Sequence, residues 1–457
     1  MNRFSITIFF LALTSIIQAS CLMAGPLYPA PASSGSQEVK PALPDTTDYY
    51  SPEFIRNEDV VYLKNIRSVV FRQSDVELSA PVITLNSGET LHLEFDDLNG
   101  NIEPYLYTVI HCDANWKTSD LWPNEYIEGL QEDNIEDYQF SFNTLQHYTH
   151  YQFGFPNEKM KILLSGNYIL KIFKREEKDK ETVVLTRRFM VADPKFIIDA
   201  KITRASTIED IETRQEIDFT VNSAGYRVES PYQDIHVTIL QNNRWDNSLT
   251  TLKPFMVRGD VLDYSFDNGI NQFDGGNEFR FIDLKSVKMV SGNIRSINMN
   301  DTTYLVTLWD NERRTFKVYV NNSDIDGRFL LKTDDESSVE TMGEYASVRM
   351  FLRYDAPVVH GQLYVAGAFN GWQYNDENLM HYNYSRHGYE ATLMLKQGYY
   401  DYAYMFLPNQ SATGDITYIE GNHSQTQNTY TILVYQRERG TTYDQLVGMG
   451  NYTSRGK

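Results

Sequence analysis

YLYTVIHCDANWKTSDLWPNEYIEGLQEDNIEDYQFSFNTLQHYTHY, residues 105–151, packs turn formers, aromatics and polar residues closely together. Its opening, YLYTVIHC, reads as a strand, in which consecutive side chains point to opposite faces. Ser119 is placed to cap a short helix through Leu121 and Trp122, which Pro123 and Gly129 keep brief. QHYTHYQFGF then reads as extended, and a second dense block, SGNYILKIF, follows at 165–173.

The same period-two alternation continues on both sides. Leu91, Leu93 and Phe95 alternate with polar residues, as do Ile217, Phe219 and Val221, then Ile235, Val237 and Ile239, then Val348, Met350 and Leu352. One apolar and one polar face per segment is the pattern of antiparallel sheets. Asn99-Gly100, Asp274-Gly275-Gly276 and Asn370-Gly371 supply turns between them. The expected fold is all-β: tandem immunoglobulin-like β-sandwich domains with few short helices. The expected division is 1–24 signal peptide, 25–50 flexible lead-in, 51–194 N-terminal β domain, 195–325 middle β-sandwich, 345–440 C-terminal domain and 441–457 tail. Asp193-Pro194 marks the first boundary, and the polar stretch at 322–345 marks the second.

The chain of 457 residues is too long for one ordinary domain, and its 41% hydrophobic content is enough for packed cores. Forty-one basic against 61 acidic side chains give a net charge of −20. That balance argues against nucleic acid, which demands clustered Lys and Arg, and against adsorption to anionic membrane surfaces. Arg3 followed by an apolar run from Phe4 to Ile17 and small residues reads as an export signal. No later stretch is long enough to span a bilayer. Two processings remain open: QASC at 18–21 as a lipoprotein box with Cys21 lipidated, or cleavage after Ala24. Either leaves Cys112 without an intramolecular disulfide partner, since Cys21 is the other of the chain's 2 cysteines.

No catalytic centre emerges. His111 and Cys112 diverge on a strand, so the plain reading is a buried Cys beside a surface His. His147 and His150 fall on opposite faces if QHYTHYQFGF is extended, which does not suit a metal. His92 and His236 fit the polar faces of strands. There is no GxSxG elbow, no HExxH and no phosphate-cradling glycine loop. No cofactor or metal is expected.

QLYVAGAFNGWQYNDENLMHY (362–382) and GYEATLMLKQGYYDYAYMF (388–406) resemble early-set immunoglobulin-like modules of glycogen-binding domains. That resemblance makes Trp372 the candidate sugar platform. The loop that should carry a second tryptophan, LPNQSATGDITYIEGNH, has none, so a structural turn is the competing role for Trp372.

Further segments resemble the type IX secretion system plug protein family of Bacteroidota. They are YTVIHCDANWKTSDLWPNEYIEGL (107–130), YTHYQFGFPNEKMKILLSGNYILKIF (148–173), LTRRFMV (185–191), EGNHSQTQNTYTILVYQRERGTTYDQLVG (420–448) and the G-x-F-N-G-W turn. The resemblance runs from about residue 50 to the C-terminus. It implies a non-enzymatic periplasmic protein at the inner face of the outer membrane, lipid-anchored if Cys21 is processed so. Such a protein would dock on the outer-membrane translocon barrel and close its pore at rest. Candidate anchors are Trp116, Trp122, Tyr126, Tyr148 and Tyr151, each of which also fits a core position. An envelope glycan-binding protein using Trp372 is the alternative function.

Overall fold

Leu91, Leu93 and Phe95 all point inward from strand Leu91–Asp97, as their alternation requires. That strand sits between Ile66–Gln73 and Thr149–Phe155, and Asp137–Phe140 forms the sheet's outer edge. A computed structural model describes residues 55–176, 180–335 and 338–454. The expected signal peptide, Cys21 and the lead-in 25–50 lie outside the described residues.

The facing sheet of this first sandwich is built on Leu106–Cys112, Gly166–Arg175 and Glu181–Ala192. Tyr107, Val109, Tyr168, Leu170 and Phe189 meet Leu91, Phe95, Tyr151 and Phe155 between the two sheets. Each large apolar side chain so enclosed contributes about 1.5–3 kcal/mol. The strand ends at Ala192 and the next begins at Ile197.

The remaining chain is organised differently from the contiguous 195–325 and 345–440 domains expected above. Strands Ile197–Arg204 and Arg214–Asn222 face a sheet in which Ile235–Gln241 pairs with Thr429–Gln436, which pairs with Gln445–Thr453. Tyr430, Ile432, Val434 and Val447 therefore share one core with Ile217, Phe219, Ile235 and Val237. The stretch expected as a tail, 441–457, contains one of that sandwich's strands.

A third sandwich is inserted between the two parts of the second. Its sheets hold Arg280–Asp283, Phe329–Leu331, Gly361–Ala366 and Gly398–Pro408 on one side. The other carries Ile294–Met299, Tyr304–Leu308, Tyr345–Arg353, His381–Asn383 and Gly388–Lys396. The polar stretch 322–345 is thus no boundary, because Phe329–Leu331 within it pairs with Gly398–Tyr400. The outgoing and returning chains cross at Gly275, where a Cβ would lie 2.1 Å from the His423 carbonyl oxygen. Only glycine fits that crossing without moving backbone.

Candidate functional site

The dense block 105–151 folds as part of the first sandwich, and its aromatics divide sharply between inside and outside. Ser119 does not cap the short helix; its Oγ lies 3.0 Å from His111 Nδ1. The helix is Pro123–Tyr126, with proline in its first turn and Glu125 Oε2 accepting the Trp122 N–H at 2.6 Å.

Four of the five candidate anchors are interior. Tyr151 stacks on Phe95 at 5.3 Å, and its hydroxyl accepts the Glu103 N–H at 2.7 Å. Tyr126 is buried and donates to the Val109 carbonyl. Tyr148 donates to the Gly343 carbonyl at 3.0 Å and lies under the Lys396 ammonium, 4.2 Å from its ring centre. Trp116 occupies a left-handed turn position, φ 63°, and meets Trp245 edge-on at 4.8 Å. Rings so enclosed hold the sandwiches together and present little surface on the outside of the molecule. Trp122, by contrast, is 74% exposed.

Sequence reading missed the outward aromatics of the same block. Phe140 is 52% and Phe142 71% exposed, and Tyr138 is exposed beside Phe140 at 6.1 Å between ring centres. Tyr138 and Phe140 lie on the edge strand Asp137–Phe140, and Phe142 follows it. The i, i+2, i+4 spacing of YQFSF carried the signal, since it sets three rings on one side of an extended segment.

His111 and Cys112 do face opposite ways: Cys112 joins the cluster between the first and second sandwiches, while His111 sits against Tyr168 at 4.9 Å. His111 is buried, not on the surface as expected. Burial pushes the Cys112 thiol up to about 12 and the His111 imidazole down to about 4. A nucleophilic pair requires the reverse shifts. His150 is enclosed with Nδ1 2.8 Å from Asp96 Oδ1, while His147 is exposed. Among the described residues, no group of three His, Cys, Asp or Glu is arranged to hold a metal ion.

Trp372 lies in the G-x-F-N-G-W turn at φ 57°, with Arg244 4.4 Å from its ring centre and Phe279 at 5.9 Å. Gly327, φ +76°, packs so closely that a Cβ there would lie 2.8 Å from the indole. A sugar platform needs an open face, and the guanidinium occupies it. Trp372 is a turn and packing residue here.

Beneath this turn, Asp401 is fully buried and accepts the N–H groups of Ile325 and Gly327. Burial raises its carboxyl to about 7, with Asp324 and Asp326 adding to the effect. The unfolded chain loses this proton near pH 4, whereas the folded protein keeps it until about pH 7. Stability from this group therefore falls as pH rises through that window, by on the order of a few kcal/mol. Asp401→Asn should flatten the decline in urea midpoint between pH 5 and pH 8; an unchanged slope would contradict this assignment.

A cavity of about 680 Å³ lies where the three sandwiches meet. Arg187 and Trp116 of the first, Trp245 of the second, and Phe329, Trp372 and Tyr374 of the third line it. Arg188 spans the Trp116 and Trp245 rings at 4.9 and 5.4 Å.

Fold and site together define an all-β protein of three sandwiches, with outward aromatics on the first. The model of the type 9 secretion system plug protein 1st domain matches residues 66–193, the whole first sandwich apart from the short strand Val60–Val61. The crystal structure of a hypothetical protein from Parabacteroides merdae ATCC 43184 is similar over 88% of this chain and 100% of its own. It shares 31% identity at a TM-score of 0.83. No curated protein matches. The chain belongs to the type IX secretion system plug protein family. That family is a secretion component, not an enzyme family, which assigns the chain to type IX secretion and to the cell envelope. No helix among the described residues is long and apolar enough to cross a membrane.

Proposed function

We propose that this protein docks on the periplasmic mouth of the outer-membrane translocon barrel of the type IX secretion system and closes its pore at rest. The plug-domain match over 66–193 carries this reading. The outward aromatics of that same domain support it, because large rings with few rotatable bonds make strong interface anchors. Trp122 presents one such ring, and Tyr138, Phe140 and Phe142 present a row beside an open sheet edge. An edge strand of this kind offers backbone groups as well as side chains to a partner. The acidic body keeps the protein off anionic lipid and phosphate, so attachment rests on the barrel itself.

Tagged protein purified from native envelope extracts should bring down a large outer-membrane barrel. Trp122→Ala combined with Phe142→Ala should cut recovery about tenfold or more, the loss of roughly 1.4 kcal/mol or more. Both side chains are exposed, so the melting temperature should barely move. Failure of the unaltered protein to recover any barrel would overturn the reading.

A further inference from the structure

The cavity at the three-sandwich junction holds arginines whose charge the fold does not neutralise. Arg72 donates to the carbonyls of Gln73 and Ser74. Arg187 donates to those of Val60 and Thr186, and Arg188 to that of Asn57. Among the described residues these three guanidinium groups form no ion pair with a carboxylate, although all three line the cavity. Burial pulls Arg187 below the usual range, and Asp59 offsets only part of that.

Three of the carboxylates that border the same space, Asp246, Asp59 and Glu94, already have partners. Asp246 is held by Arg244 at 2.7 Å, and Asp59 Oδ1 accepts the backbone N–H of Arg188 at 2.8 Å. Glu94 lies 3.7 and 3.8 Å from His92 and His150. Arg328, also on the wall, is paired with Asp326 at 3.2 Å, so it is not part of the unneutralised set. The walls between these groups are aromatic and apolar: Phe71, Trp116, Phe189, Trp245 and Trp372. The volume falls within the roughly 300–1,000 Å³ of small-molecule sites.

We propose that this cavity binds a carboxylate carried on an apolar or aromatic body, with Arg72, Arg187 and Arg188 receiving the charge and the tryptophans enclosing the body. Guanidinium and carboxylate match as planar, charge-assisted partners. A single negative charge suits the site better than a phosphate dianion, because Glu58, Asp59, Glu77, Glu94, Asp246 and Glu340 also border it. Two sources supply such a group, a fatty acid or the C-terminus of a peptide. The site stands on the cavity alone and does not depend on docking to a barrel.

Three of the chain's 5 tryptophans line the cavity, so binding should change intrinsic fluorescence. The full chain would be titrated with dodecanoate against 1-dodecanol, and with acetyl-Tyr-Leu-Phe as free acid against its amide. Calorimetry would supply the stoichiometry. At least one acid should bind one-to-one and about tenfold or more tighter than its neutral counterpart, and the acid that binds identifies the source. Arg187→Gln and Arg72→Gln should each weaken that acid about tenfold or more. If Arg187→Gln melts early, Arg72→Gln carries the test. Absence of binding by both acids, equal affinity for acid and neutral probe, or unchanged affinity in the folded variants would overturn the proposal.

Discussion

Asp96→Ala should destabilise the protein by about 3–5 kcal/mol at pH 7, because it strands a buried ammonium. Lys396 Nζ lies 2.7 Å from Asp96 Oδ2, and each side chain is about 1% exposed. Tyr345 donates to the same oxygen at 2.6 Å, and His150 Nδ1 lies 2.8 Å from the other. Asp96 and His150 belong to the first sandwich, whereas Lys396 and Tyr345 belong to the inserted one, so one carboxylate joins two domains 300 residues apart in sequence. Without it, Lys396 keeps the Glu340 carbonyl at 3.1 Å and the Tyr148 and Tyr345 rings, none of which carries a compensating charge. Removing one partner costs more than removing both, so Asp96→Leu combined with Lys396→Met should recover much of the loss.

Burial raises the Asp96 carboxyl, but Lys396 and His150 outweigh burial and hold it below the usual range. A depressed carboxylate stabilises the fold above its unfolded value near pH 4, and that contribution disappears as pH falls through the folded value. The gap in urea midpoint between wild type and Asp96→Ala should therefore be full at pH 7 and shrink in strong acid. A loss of unfolding free energy below about 1 kcal/mol at pH 7 would show that the interface does not rest on this pair.

Much of the strand content was legible, because alternation is a local property. Leu91, Leu93 and Phe95 face inward as their spacing requires, and Cys112 diverges from His111 for the same reason. Partner choice was not legible. TYTILVYQ at 429–436 reads as a strand wherever it goes, and nothing local says that it returns across an inserted domain to pair with Ile235–Gln241. Pairing is decided by shared burial, which brings Tyr430 and Ile432 against Ile217 and Phe219.

The division of aromatics between core and surface failed for a related reason. Tyr148, just before strand Thr149–Phe155, is covered by Tyr345 and Lys396 of the inserted sandwich. Tyr151 has the composition of an interface anchor, yet its strand lies inside the sheet, and its ring is covered. Tyr138 and Phe140 have the same chemistry on the strand next to it, which is the edge, and stay exposed. Position in the sheet decides exposure, and single-chain alternation does not encode it. The cavity was illegible altogether, since its walls come from three sandwiches.

Glu420→Ala should be comparably severe, about 3–5 kcal/mol, but its damage should fall in a different place. Glu420 is fully buried where the chain leaves the inserted sandwich. One oxygen accepts Arg280 Nε at 2.9 Å and the Tyr404 N–H at 3.0 Å, and the other accepts Arg314 Nε at 2.7 Å. Burial opposes ionisation, and the two arginines overcome it, so the carboxyl is held below its usual range. Alanine would leave two largely buried guanidinium groups facing each other and an interior N–H without its acceptor. Arg280 retains Asn311 and the Glu312 carbonyl, and Arg314 retains the Glu278 carbonyl, which offsets only part of this. Glu420→Gln keeps the acceptor for Tyr404 but not the charge, and should recover part of the loss. Because the arginines tie Arg280–Asp283 to the returning chain, amide exchange should accelerate first in Gly398–Pro408. Gly166–Arg175 in the first sandwich should remain protected at that stage. Simultaneous loss in both strands would mean that Glu420 stabilises the molecule only as a whole and not the inserted sandwich in particular.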